Sequence, residues 1–184
     1  MEIRTQRLLL RPLCLKDFQT VFAYSSLPEN TRYVMWGGKD KEQVLRFLEG
    51  IEAEQKKANP EFYEFAVVLD CLQIGAVSAY LNEARTQAEV GWILHKDFWG
   101  NGYITEAALA LRDCLFKELK VERLVAHCDE RNVASYNVMK KIGMSLVSSG
   151  TERIYPLTGE KSTELMCELK REDFYAQQAF LINF

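Results

Sequence analysis

The stretch AEVGWILHKDFWGNGYITEAALALRDCLFKEL constrains this chain more than any other part of it. Residues 88–94 alternate as a half-buried strand does. Ala108, Leu111, Leu115 and Leu119 then fall on one face of a helix expected from about Tyr103 to Leu119. Between the two stand Gly100 and Gly102, although glycine gives up packing and costs backbone entropy. A Gly-rich turn opening a helix is a standing anion site. The first-turn N–H groups lack internal partners, the helix dipole favours negative charge, and glycine lets a phosphate approach the main chain. Thr105 adds a hydroxyl in that turn. A bare tight turn accounts for the glycines equally well at this level. Two rival phosphate loops drop out: no Gly-Lys-Ser/Thr occurs, and a dinucleotide loop would need a third glycine at position 105, which is Thr.

The elements around this junction set the architecture. RLLLRPL reads as a first strand stopped near Pro12, and LKDFQTVFAYS as a helix carrying Phe18, Val21 and Phe22. Asp40 and Gln43 form a capping-box start for a second helix, with Val44, Phe47, Leu48 and Ile51 as its apolar stripe. It should end before Asn59-Pro60. FYEFAVVL and IGAVSAYL flank a four-residue turn at Asp70–Gln73, and AEVGWIL follows, so the three read as an antiparallel meander. ERLVAHC is a strand, NVASYNVMKKIG a short helix capped by Gly143, and SLVSSGTERIY with STELMCEL a hairpin joined across Pro156–Lys161. The order β-α-α-β-β-β-α-β-α-β-β describes an α/β (α+β) fold. We expect a single mixed, mostly antiparallel sheet of about seven strands with helices on both faces, in a single domain over residues 1–184.

Charge and cysteine usage exclude several function classes. A net charge of −3 with both signs mixed along the chain argues against a nucleic-acid surface. The five cysteines are dispersed without a CxxC, which suits buried thiols in a reducing compartment, and no metal-ligand spacing involves His95 or His127. No run approaches the roughly 18 apolar residues of a membrane span. The expectation is a cytoplasmic protein with no metal, working as a monomer or homodimer.

EVGWILHKDFWGNGYITEA, followed about 25 residues later by NVASYNVMKKIGM, resembles the GNAT acetyltransferase superfamily, and in particular its RimJ/RimL-like branch. The opening TQRLLLRPLCLKDF and the closing TELMCELKREDF resemble that branch too. The resemblance implies an acetyl-CoA-dependent N-acetyltransferase acting on a primary amine, either a protein N-terminal α-amine or a small molecule such as a polyamine, antibiotic or amino acid. It implies that the phosphates of CoA lie on Gly100, Asn101, Gly102, Tyr103, Ile104 and Thr105, with Trp99 also in the cofactor site. Pantetheine would run along Trp92, Ile93 and Leu94, with Asn132 and Asn137 on its amides. Against the general pattern Gln/Arg-x-x-Gly-x-Gly/Ala, Trp99 falls on the Gln/Arg position and Ile104 on the last one. Many members carry a tyrosine seven residues after the asparagine that opens the second helix. Here that position is Met139, which cannot donate a proton, and Tyr136 lies elsewhere on the helix. By resemblance Ser135 becomes the donor to the leaving sulfur.

Acetyl transfer to an amine also needs a base near the acceptor and donors for the developing oxyanion. Glu89, on the strand entering the glycine loop with Gly91 and Ile93 on its face, is the candidate base, against the reading of a polar residue on a half-exposed strand. His127 and Glu106 read as structural, the latter as a helix-start charge. Tyr33 and Trp36, between the first two helices, are candidates for acceptor contact by the same resemblance. A CoA-binding module without turnover is the rival from another class.

Overall fold

The computed structural model describes residues 1–182. Its strands are β1 (Ile3–Arg4), β2 (Leu9–Pro12), β3 (Phe62–Leu69), β4 (Leu72–Leu81), β5 (Gln87–Leu94), β6 (Arg123–Asp129), β7 (Ser145–Ile154) and β8 (Lys161–Lys170). Its helices are α1 (Phe18–Ser25), α2 (Pro28–Thr31), α3 (Lys41–Gln55), α4 (Tyr103–Lys117), α5 (Val133–Lys141) and α6 (Arg171–Ile182). β3 has no solvent face, because its residues 64–68 are all buried. A strand of that kind must be covered on both sides. Val67 packs into a cluster with Leu111, Leu115, Val138 and Phe174, from α4, α5 and α6. Ala66 and Val68 pack with Val21, Val44, Leu48 and Ile51, from α1 and α3. Helices therefore cover both faces of the sheet.

The sheet has eight strands in the order β1-β2-β3-β4-β5-β6-β8-β7. Every pairing is antiparallel except β5 with β6. The eighth strand, beyond the seven expected, is the two-residue β1, too short to leave a pattern in sequence. The capping box is present as read: Asp40 Oδ1 accepts from Gln43 N (2.8 Å), and Gln43 Oε1 accepts from Asp40 N (2.9 Å). Gly143, at φ 90°, ends α5, and Met144 N donates back to Met139 O at 3.0 Å.

One local expectation is corrected, and two helices are added to the expected order. The β3–β4 turn is two residues, not Asp70–Gln73: Asp70 (φ 46°) and Cys71 (φ 70°) both take the left-handed region that a tight hairpin turn demands. Leu72 and Gln73 thereby stay in the ladder, opposite Leu69 and Val68. α2 is a single turn with Pro28 in its first turn, below the length at which periodicity shows. α6 follows β8 without a break, and among its described side chains only Phe174 is buried, stacked on Phe116 at 4.8 Å.

Candidate active site

β5 and β6 pair at only three positions, Gln87↔Arg123, Ala88↔Leu124 and Glu89↔Val125. Past Glu89 the two parallel strands separate, and among the described residues no strand pairs on that side of Val90–Leu94. The free end of β5 is pinned from elsewhere. Leu94 O accepts from the buried Asn30 Nδ2 (2.5 Å) and from Trp99 Nε1 (2.8 Å), while His95 N donates to Ile74 O (2.9 Å). Asn30 has no sequence signal, since its partner lies 64 residues away.

Beyond β5 the chain passes Gly100 (φ 79°) and Gly102 (φ 77°) into α4. A Cβ on Gly100 would meet nothing within 4 Å, and one on Gly102 only Arg7 Nη2 at 3.6 Å. The loop thus presents bare main chain to open space, and Lys141 lines the same cleft. This cradle fits a diphosphate. Arg7 holds the loop from behind, its Nη1 donating to Asn101 O (3.0 Å), its Nε to Glu106 Oε2 (2.7 Å), its guanidinium 4.6 Å from the Tyr103 ring centre. Glu106 also accepts from Thr5 Oγ1 (2.6 Å) and Arg7 N (2.9 Å). Burial opposes its ionisation, but these donors hold its carboxyl below the ordinary range. Glu106 is structural, and no local sequence signal points to its partner Arg7, because the contact spans 99 residues.

Trp92, Ile93, Leu94, Trp99, Gly100, Gly102, Tyr103, Ile104, Thr105, Asn132, Ser135 and Asn137 line one cleft of about 470 Å³. Asn101 is not among its lining; its Nδ2 donates to Trp99 O (3.0 Å) and Phe98 O (3.2 Å), bracing the loop from within. Tyr33, Trp36 and Glu89 line a second cleft of about 350 Å³. Tyr33, Trp92, Ile93, Asn132 and Ser135 belong to both, so the clefts join at the start of α5. Asn132 caps that helix, its Oδ1 accepting from Ser135 N at 3.1 Å. Met139 is 1% exposed and lines the second cleft, whereas Tyr136 lies outside both, with Lys140 over its ring.

The floor of the second cleft is a patch of β3, β4 and β5. Register places Glu64, Ser78 and Gly91 in one row and Phe62, Tyr80 and Glu89 in the next, on the same face. Glu89 is exposed; Glu64 is 8% exposed and accepts a hydrogen bond from Tyr80 Oη at 2.7 Å. Desolvation pushes the Glu64 carboxyl up to about 7, although the Tyr80 hydroxyl and the Lys39 ammonium favour its ionised form. Tyr80 is 46% exposed, but its hydroxyl lies against the buried Glu64 carboxyl, and that desolvation and Glu64 itself push the hydroxyl well up. Lys39 is held below its ordinary value by burial, its Nζ 4.3 Å from the Trp36 ring centre. Glu64 escaped the sequence reading because FYEFAVVL looks like an ordinary half-apolar strand.

A raised carboxyl pKa has a definite consequence for stability. The neutral form is favoured in the fold, so its contribution is complete below the unfolded value of 4.5 and is lost as pH rises through about 7. Glu64→Gln cannot ionise. Relative to the wild type it is expected to gain about 3 kcal/mol in stability between pH 4.5 and pH 8. Urea unfolding at the two pH values measures the difference; an equal offset at both would refute it.

The far wall comes from the end of β6. Asp129, fully buried, accepts from Arg131 Nε (2.9 Å), Arg131 Nη2 (2.7 Å), Arg131 N (2.8 Å) and Tyr155 Oη (2.7 Å). Burial opposes its ionisation, but these partners hold its carboxyl well below the usual carboxylate range. Its main-chain oxygen accepts from Asn132 N at 2.9 Å, which sets the start of α5. His127 Nδ1 lies 3.1 Å from Glu164 Oε1, and Arg153 Nη1 donates to Glu164 Oε2 at 2.7 Å, so His127 is tied into a structural network. Among the described residues no group of three His, Cys, Asp or Glu is placed to hold a metal ion, and no helix is long and apolar enough to cross a membrane.

Comparison with known proteins agrees with this geometry. An uncharacterized N-acetyltransferase of Bacillus subtilis, YnaD, is 37% identical over 147 residues, covering 78% of this chain and 82% of its own. A GNAT-family acetyltransferase structure from Bacillus anthracis superposes with a TM-score of 0.82 at 29% identity, covering 94% of this chain and 99% of that one. A RimL ribosomal-protein alpha-N-acetyltransferase in complex with coenzyme A shares the fold, with a TM-score of 0.80 at 18% identity over 92% of this chain and 98% of that one. Residues 7–145 match the model of the acetyltransferase (GNAT) domain. With that match spanning the splayed strands, the glycine loop and the start of α5, the chain belongs to the GNAT acetyltransferase family.

Proposed function

We propose that this protein, acting as one domain in the cytoplasm, transfers an acetyl group from acetyl-CoA directly to a primary amine. The observation that carries this reading is the junction of two clefts at Asn132 and Ser135, one lined by the glycine loop and the other by carboxylates and aromatic rings. Bound acetyl-CoA supplies the thioester. The glycine loop and the N–H groups of the first turn of α4 hold its phosphates, with Lys141 adding a positive charge. Trp92 to Leu94 hold the pantetheine, with Asn132 and Asn137 on its amides. Glu89, exposed at the acceptor cleft, draws in the ammonium form of the acceptor and removes its first proton, directly or through water. Ser135 gives a proton to the departing thiolate. Tyr33 and Trp36 contact the acceptor.

The acceptor must present its amine on a group that enters about 350 Å³. The N-terminal residue of a protein fits, as the name of the RimL neighbour suggests, and a small free amine is the second reading. CoA release measured against a panel of N-terminal peptides, polyamines and amino acids tests both. Tight CoA binding without release on any acceptor would leave only a CoA-binding module. Ser135→Ala is expected to lower kcat by about 100-fold with an unchanged KM for the acceptor. A wild-type kcat under chemistry-limited conditions would remove Ser135 from the reaction.

A further inference from the structure

During acetylation the amine nitrogen gives up two protons. The ammonium group must lose one before it can attack. As the C–N bond forms and the C–S bond breaks, the nitrogen becomes positive and must lose a second. An exposed carboxylate such as Glu89 passes its proton to water, but the second proton leaves inside a cleft from which water is being excluded. A buried acceptor there needs three properties: it must face the cleft, be free to ionise near neutral pH, and be linked to the amine by a hydrogen-bonding group.

We propose that Glu64 receives this second proton, relayed by the Tyr80 hydroxyl. Tyr80 Oη already donates to Glu64 Oε1 at 2.7 Å, so its oxygen lone pairs are left to accept from the amine nitrogen. A proton passing to Tyr80 Oη as the phenolic proton moves to Glu64 leaves Tyr80 unchanged and Glu64 neutral. The thiolate takes its proton from Ser135. Ser135 takes a proton from solvent as it gives its own to the sulfur, and Glu64 discharges to solvent after product leaves. Of the two protons released through Glu89 and Glu64, one balances that taken up by the thiolate, so the net release is one. Register sets the route: Tyr80 stands opposite Glu89, and Glu64 stands opposite Ser78, which stands opposite Gly91. Both carboxylates therefore face one amine position from adjacent rows.

The groups facing Glu64 are consistent with this task. Tyr80 comes from β4, Glu89 from β5, Lys39 from the segment before α3, and Tyr24, fully buried with its hydroxyl pushed well up, from α1. Lys39 is the cation among them, and burial and the Trp36 ring limit how far it stabilises the carboxylate. Glu64 thus stays able to take a proton in the neutral range.

The proposal rests on the amine-acetylation reading, and the two fail separately. If wild-type protein releases no CoA with any amine, that reading fails. If it does release CoA, Glu64→Gln, Tyr80→Phe and the double variant are compared at saturating acetyl-CoA between pH 5.5 and 9. Each single change is expected to lower kcat by 100-fold or more, with the double variant no slower than the slower single. In Glu64→Gln the acidic limb of kcat near pH 7 should disappear, while affinity for acetyl-CoA stays within twofold. A Glu64→Gln protein with wild-type kcat and an intact limb overturns the proposal. Carboxyl-carbon NMR of wild-type protein labelled in its glutamates needs no variant. One glutamate should titrate near 7, and its midpoint should move when a non-reactive alcohol analogue of the acceptor fills the cleft; no glutamate titrating above 6 also overturns it.

Discussion

Gly102→Val is expected to raise the dissociation constant for acetyl-CoA at least 100-fold while leaving a folded protein. Gly102 caps α4 in the left-handed region, at φ 77° and ψ 2°. A β-branched residue is strained there by about 1–2 kcal/mol, which a domain of ordinary stability survives. The fold has room for the first new atom, since the nearest neighbour is Arg7 Nη2 at 3.6 Å. The strain falls on the loop itself, which leads into the N–H groups of Tyr103, Ile104 and Thr105, the unpaired donors of a helix start. A shift of those donors takes them off the diphosphate they hold, and each lost charge-assisted hydrogen bond is worth about 1.5–3 kcal/mol. Gly100→Ala is the control. Its φ is 79° and its Cβ meets nothing, and it stands two residues before the α4 cap without a β-branch, so it should cost about tenfold or less. Calorimetric titration with acetyl-CoA, alongside thermal melts, separates the two. Unchanged affinity in Gly102→Val would detach the glycine loop from the cofactor.

The parts of this site legible in sequence are those whose signals are local. Gly-x-Gly before an amphipathic run, the Asp40–Gln43 box and Gly143 after α5 each follow from residues within four positions of one another. The clamp on the glycine loop does not. Arg7 and Thr5 reach Glu106 across about a hundred residues, and no periodicity reports such a pair. Asn30 on Leu94 O is another case. Glu64 is the most instructive. The sequence delimits its strand, Phe62–Leu69, but a carboxylate flanked by apolar and aromatic residues looks like the solvent position of an alternating strand. Only the α1 and α3 layer, packed on that face, makes the position buried and turns an ordinary carboxylate into one that titrates near neutrality. The order of β8 inside β7 likewise depends on long-range pairing that a single sequence does not encode locally.

Stability and chemistry pull against each other at the floor of the acceptor cleft. Ionised Glu64 costs the fold free energy above neutral pH, and Arg153 Nε and Ser25 Oγ, both in residues lining the same cleft, are buried without a partner among the described residues. An apolar floor would be more stable. A cleft that must bind a polar amine and move its protons gains from groups the fold leaves unsatisfied, because the acceptor supplies the missing partners.

Gly75→Ala should be the most damaging small substitution in the sheet. β4 carries one extra residue where it leaves β3: Val67 stands opposite Gly75 and Val68 opposite Gln73, so Ile74 is unpaired on that side. The bulge presses Gly75 against the end of β5. An added Cβ would lie 2.3 Å from Ile93 O and 2.9 Å from Leu94 Cα, both main-chain atoms. Neither can rotate away as a side chain would, so β5 must shift by about 1 Å or lose its pairing, at a cost of about 3 kcal/mol. For a chain of this length that lowers the melting temperature by about 6–12 °C. The displaced segment is not neutral ground, because Ile93 lines both clefts and Leu94 O is the atom held by Asn30 and Trp99. Acetyl-CoA affinity should therefore fall together with stability, by tenfold or more even at temperatures where the protein remains folded. Loss of stability with full affinity would mean that the end of β5 takes no part in holding the cofactor. Full retention of both would show that the bulge yields instead of the strand.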